Sequence, residues 1–366
     1  MIQFIPALSD RIQQLTGINF DSDNEYSFFR PGGNDHLIQF FHGNIAKEFN
    51  ELDGFSRHNV FLMELEEKIG IDFLLDDDNQ FAVYSEENKK GVKAIQAVMD
   101  LRDEDIILIY YWGAIANCNR LNQKLCSLPG INPCYCSSPI LLKVAKDLAS
   151  LNAFQYCLEQ LPVVFQDPIT MKGEYKGKIA EEICTKFAKN YTNWFNIESI
   201  SGSFIDGAQG TLTFHSDGLI HVDTCRLSSL LEIVSKIFTI LKEKYKYLIE
   251  RNISQENGIE IGNLFKFEYS PLEIELPIPI GNMENFAKQF ANGRNFLQLL
   301  GNFERISPKL WSIKSTDTNL GTQIELELSY QTIRILLNQR HSLILADRIE
   351  RFLRKYICAH LTSIAF

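Results

Sequence analysis

The chain has 366 residues, with 36 Lys and Arg against 46 Asp and Glu, giving a formal net charge of −10 at pH 7. That length suits two domains of ordinary size, and 45% apolar with 22% charged residues excludes disorder as the main state. The acidic balance, without a basic run longer than two residues, argues against nucleic-acid binding, where Lys and Arg must neutralise phosphates.

Eight irregularly spaced cysteines are too few for a disulfide scaffold and point to free thiols in the cytoplasm. The opening MIQFIPALSD has no basic leader and does not read as a secretory signal. The longest apolar stretch, 106–119, runs 14 residues without a charge, whereas a membrane-spanning helix needs about 20, so no span is expected.

In the first half, periodic apolar residues predict a helix from Pro6 to Leu15 and another from Asp35 to Leu52. The second carries Leu37, Phe40, Phe41, Ile45 and Phe49 on one side. A helix near Val60 to Lys68 precedes IDFLLDDDNQFAVYS, which reads as a hairpin over 71–85 turning at Asp76 to Asn79. A helix from Glu86 to Leu101 leads into Ile106 to Trp112, a short run of β-formers expected to be a strand buried on both faces. Helices from Ala114 to Leu125 and Ile140 to Leu161 follow, and the Pro- and Gly-containing segment Pro162 to Gly177 reads as a domain boundary.

From Ser199 onward a strand pair followed by a long helix recurs three times. The pairs are GTLTF with LIHVDT, NLFKFEYS with LEIELPIPI, and LWSIKS with TQIELELSYQTI; the helices run over Arg226–Glu250, Met283–Phe303 and Gln339–Leu361. Leu272, Ile274, Leu276, Ile278 and Ile280 alternate with polar residues or prolines, as do Ile324, Leu326 and Leu328, so one sheet face is apolar and the other acidic. Pro277 and Pro279 lack amide donors and place the end of their strand at a sheet edge. The fold class expected is α+β. A helix-rich domain with a small sheet occupies 1–165, and 166–366 forms an antiparallel sheet with long helices on one face in ferredoxin-like order.

Three constellations could carry chemistry. In FHSDGLIHVDTCR a three-residue loop at Ser216-Asp217-Gly218 pairs Phe214 with Ile220 and Thr213 with His221. Leu212, Phe214, Ile220 and Val222 then share one face, with Thr211, Thr213, His215, His221 and Asp223 on the other. Cys225 in the following helix's first turn, beside Arg226, is a candidate nucleophile, with His221 or His215 as base and Asp223 as orienter. The structural alternative is a half-exposed polar sheet face and a buried thiol.

Cys118, Cys126, Cys134 and Cys136 cluster, but their spacing departs from zinc knuckles, so no metal site is expected. Glu273, Glu275, Glu325 and Glu327 share a wet sheet face that would not shift their pKa values for acid–base work. Asp76-Asp77-Asp78 is turn chemistry, and His36 and His42 do not share a helix face. Phosphate-loop, dinucleotide, metalloprotease and C-x-x-C motifs are absent, so no cofactor is expected. The functional expectation is an intracellular binding protein that holds a protein partner or a small apolar ligand between sheet and helices. A cysteine-dependent hydrolase or transferase using Cys225 is the alternative.

Overall fold

The computed structural model describes residues 36–43, 54–77, 80–87, 93–103, 105–111, 115–128, 131–147, 151–160, 172–176, 195–204, 211–222, 230, 233–244, 259–260, 266–267, 272–276, 279–293, 297–318, 321, 323–337, 342–356 and 362–365. The first of two large antiparallel sheets contains β1 (His36–Gly43), β2 (Leu74–Leu75), β3 (Phe81–Glu87), β4 (Lys93–Asp100), β5 (Ile106–Tyr111), β6 (Ile131–Pro133), β7 (Leu151–Gln160), β8 (Lys172–Lys176), β9 (Phe195–Phe204), β10 (Thr211–His215) and β11 (Leu219–Val222). Their order is β2-β3-β4-β5-β1-β11-β10-β9-β7-β8, with β6 also beside β1. Strands on both sides of Pro162–Gly177 thus join one sheet.

Strand β1 explains how this sheet is built. Leu37 and Phe41 enter a core with Phe61 and Leu65 of α1 (Gly54–Ile69) and Leu121 and Leu125 of α2 (Ile115–Cys126). Ile38 and Phe40 enter the opposite core, with Leu141 and Val144 of α3 (Ser138–Asp147) and Ile233, Val234, Ile237 and Leu241 of α4, the helix over 233–244. Helices therefore cover both faces of the sheet's middle, and each fully buried large apolar side chain there contributes about 1.5–3 kcal/mol.

The same two-sidedness corrects the helix expected from Asp35 to Leu52. Apolar residues at 37, 40 and 41 imitate a helical stripe, yet they alternate between two cores along a strand. Likewise Ala97 and Met99 face one core and Val98 the other, so 93–100 is β4 and not part of a helix over Glu86–Leu101. The hairpin over 71–85 forms as β2 and β3, with Leu74 opposite Val83, and all six residues of β5 are buried. The helix expected over Ile140–Leu161 is α3 followed by β7. The expected helix over Pro6–Leu15 lies outside the described residues.

Strands β12 (Ile259–Glu260) and β13 (Lys266–Phe267) pair separately. The second large sheet contains β14 (Leu272–Glu275), β15 (Leu299–Ser307), β16 (Leu310–Asp317), β17 (Gln323–Ser329), β18 (Thr332–Leu337) and β19 (Thr362–Ala365), ordered β15-β16-β17-β18-β14-β19. Helices α5 (Met283–Ala291) and α6 (Ser342–Tyr356) pack against it. Phe286 and Phe290 of α5 and Ile349, Phe352 and Leu353 of α6 meet Ile274, Ile313, Ile324, Leu326 and Ile335. Phe290 stands edge-on to Phe286 at 5.1 Å and to Phe352 at 5.2 Å between ring centroids.

The α+β class holds, and Ile274 and Ile324 share one core as their alternation implies. The ferredoxin-like order does not describe this topology. β10 and β11 belong to the first sheet because their apolar face packs with α3 and α4, and β14 pairs with β18 and β19 instead of with the NLFKFEYS segment. β14 is therefore an inner strand that stops before Pro277, and not an edge. The helix expected over Met283–Phe303 ends at Ala291, because Gly293 adopts φ +66° and β15 follows. The wet face of the second sheet carries mixed charge: Arg334 pairs with Glu327 at 3.0 Å and Lys314 with Glu325 at 3.7 Å.

Candidate ligand cleft and charged junction

The β10–β11 hairpin matches its expected register, with Phe214 opposite Ile220 and Thr213 opposite His221. Leu212, Phe214, Ile220 and Val222 are buried in the core with α4, while Thr213, which shares a 2.8 Å hydrogen bond with Ser201, lies on the other face. Burial lowers the His215 pKa; Asp217 opposes that shift and His221 adds to it. Asp223 and Cys225 lie outside the described residues, so of the candidate catalytic residues only His215 and His221 have a described place. Gly218 has φ +77°, and a side chain there would press on the carbonyl oxygens of Cys134 and Phe40.

The four clustered cysteines are free thiols: Cys118, Cys134 and Cys136 are buried, and Cys126 is exposed at the end of α2. Burial pushes the Cys136 thiol well up, which disfavours a thiolate. Among the described residues, no group of three or more His, Cys, Asp and Glu could hold a metal ion.

Sequence reasoning missed a charged junction between the two sheets. One side of α6 buries Leu345, Ile349, Phe352 and Leu353 in its own sheet's core, while Asp347, Glu350 and Arg354 serve the other side. Asp347 Oδ1 accepts from Lys244 Nζ at 2.5 Å, and its Oδ2 accepts from the Tyr135 amide at 3.3 Å. Lys244 Nζ also donates to the Tyr135 carbonyl at 3.1 Å and lies 3.6 Å from Glu350, to which Arg354 Nε donates at 2.6 Å. The Lys244 ammonium and the Arg351 guanidinium approach the Tyr135 ring at 5.6 and 5.9 Å from its centroid.

Burial works against the Lys244 charge, but Asp347 and Glu350 outweigh it and raise its pKa. Burial also raises Asp347, with Lys244 opposing. For Glu350, Lys244 and Arg354 overcome burial and hold the carboxyl at about 2. The signal available in sequence was polar residues within an amphipathic helix, which ordinarily means a solvated face. A second buried ion pair, Arg348 with Asp317, ties α6 to β16.

A further polar network lies under the hairpin. Buried Gln39 donates to the Asp217 carbonyl at 2.7 Å and accepts from Asn122 at 3.3 Å, and Asn122 accepts from the Tyr111 hydroxyl at 3.0 Å. It fixes α2 against β1 and β5.

A shallow cleft, open to solvent and enclosing about 30 Å³, lies between α2 and β3. Ile71, Cys118 and Leu121 line it together with Tyr84, Glu86, Asn117, Arg120 and Lys124. Glu86 Oε1 accepts from the Tyr84 hydroxyl at 3.0 Å and from Arg120 at 3.2 Å, while Lys124 Nζ donates to the Ile69 carbonyl at 3.4 Å. Burial, then Glu86, raises the Tyr84 pKa, so its hydroxyl stays a donor.

Comparison with known proteins adds one likeness. A family model described as MJECL33-like protein matches residues 229–345, about a third of the chain. The match runs from the start of α4 through β18 to the first turn of α6 and so includes Lys244. No curated protein matches the chain. Among the described residues, no helix is long and apolar enough to cross a membrane.

Proposed function

We propose that this chain is a binding protein that seats a small molecule between sheet and helix, in the cleft bounded by α2 and β3. The observation that supports it is the convergence of Tyr84, Glu86, Asn117, Arg120 and Lys124 on one concavity beside buried Ile71 and Leu121. Among the described residues, both faces of the first sheet's middle bury packed apolar side chains, and this cleft offers polar groups at the surface beside them. Free thiols at all four described clustered cysteines support a reducing setting such as the cytoplasm. The test is a panel of anionic, cationic and neutral fragments followed by amide chemical-shift mapping. Saturable changes centred on residues 84–86 and 117–124 are expected, and a panel without any such response would end the binding reading.

A further inference from the structure

The proposed binding role leaves open what the cleft recognises, and the charges along its helical wall answer that. Asn117, Arg120, Leu121 and Lys124 follow one another at helical spacing, so an amide, a guanidinium and an ammonium line one stripe of α2. Arg120 and Lys124 are like charges four residues apart, an arrangement that is unfavourable on a bare helix. A single carboxylate, Glu86, lines the cleft with them. The cleft is thus net positive in a chain whose formal charge is −10.

The hydrogen bonds anchor that positive charge at the rim of the cleft. Glu86 is held from one side by the Tyr84 hydroxyl and meets Arg120 through the same oxygen, Oε1. The guanidinium is thereby tethered by one nitrogen, Nη2, with further donors of its planar fork left for a second acceptor. Lys124 reaches the carbonyl of Ile69, the last residue of α1, across a long 3.4 Å contact that a charged acceptor would readily outcompete.

We infer that the cleft binds the oxyanion headgroup of a small molecule, a carboxylate or a phosphate, between Arg120 and Lys124 with Asn117 as a third donor. This inference rests on the proposed binding role and names the ligand class. Glu86 positions Arg120 and at the same time weakens the site for anions, which gives the inference a distinctive signature.

The experiment titrates the full chain with acetate, succinate and inorganic phosphate, with acetamide as the neutral isostere, following the amides of 117–124. The carboxylates or phosphate should bind saturably and acetamide should not; the relative response of succinate and phosphate identifies the headgroup. Losing one charge-assisted hydrogen bond is worth about 1.5–3 kcal/mol, so Lys124→Gln or Arg120→Gln should weaken binding by roughly tenfold or more. Glu86→Gln should tighten it. All three positions are at the surface, and unchanged melting temperatures would show that the variants fold. Equal binding of acetamide and acetate, or indifference to Lys124→Gln, overturns the oxyanion class while leaving the binding role intact. Loss of every response, including that to the wider fragment panel, overturns both.

Discussion

The backbone amide of Tyr135 donates to the Asp347 carboxylate at 3.3 Å, across 212 positions of sequence. That carboxylate also binds Lys244, so one side chain of α6 holds the β6–α3 connection and α4 together.

Removing one partner of this pair strands a buried charge. Lys244→Met should therefore cost about 3–5 kcal/mol, whereas the double variant Lys244→Met/Asp347→Leu should recover much of the loss. Urea unfolding of the two single variants and the double variant checks this. Additive costs would mean that the two groups act independently.

Acid should weaken the same junction through Glu350. Its carboxyl is held at about 2 in the fold against 4.5 as the ordinary value, so its contribution is complete above pH 4.5 and is lost as the pH falls toward about 2. Asp347, raised by burial, runs the other way and takes up its proton earlier. Glu350→Gln should consequently lose less stability than the parent chain between about pH 5 and pH 2, measured by chemical unfolding at each pH.

His215 has a folded-state pKa lowered below 6.5, chiefly by burial. Its neutral form is the one accommodated, so the stability it permits is complete above pH 6.5 and declines as acidification charges it in the unfolded chain first. His215→Gln should flatten the stability profile between about pH 7 and pH 5 without affecting the region above pH 7.

Two glycines separate backbone strain from crowding. Gly321 has φ +67°, and a methyl group added there would meet nothing within 4 Å, so Gly321→Ala should cost about 1 kcal/mol from the positive φ alone. Gly218 has φ +77°, and its Cβ would lie 2.7 Å from the Cys134 carbonyl oxygen; Gly218→Ala should cost about 3 kcal/mol. Equal losses in thermal unfolding would show that the β10–β11 turn has room to shift.

Local chemistry was legible where apolar residues alternate cleanly or form one short unbroken run. The β10–β11 register, the alternation in β17 and the fully buried β5 all follow from side-chain pattern. Strand β1, buried on two sides, was misread, because Leu37, Phe40 and Phe41 carry helical spacing while serving opposite cores. The boundary between α5 and β15 needed Asn292 and Gly293 to be weighed as a stop. For the cleft, the helix expected over Ala114–Leu125 carries Arg120 and Lys124, but Tyr84 and Glu86 come from β3, and no sequence pattern announces that pairing. The junction was hidden for the same reason, since Lys244 and Asp347 are 103 positions apart.

Strand β14 lies between β18 and β19, so Leu272–Glu275 is flanked by partners about sixty and ninety residues downstream. During synthesis, the edge of β14 that receives β19 stays open until residues 362–365 have emerged. The second sheet therefore closes late, and while it waits its nascent form presents an unsatisfied row of amides and carbonyls that a chaperone or a neighbouring nascent chain could engage.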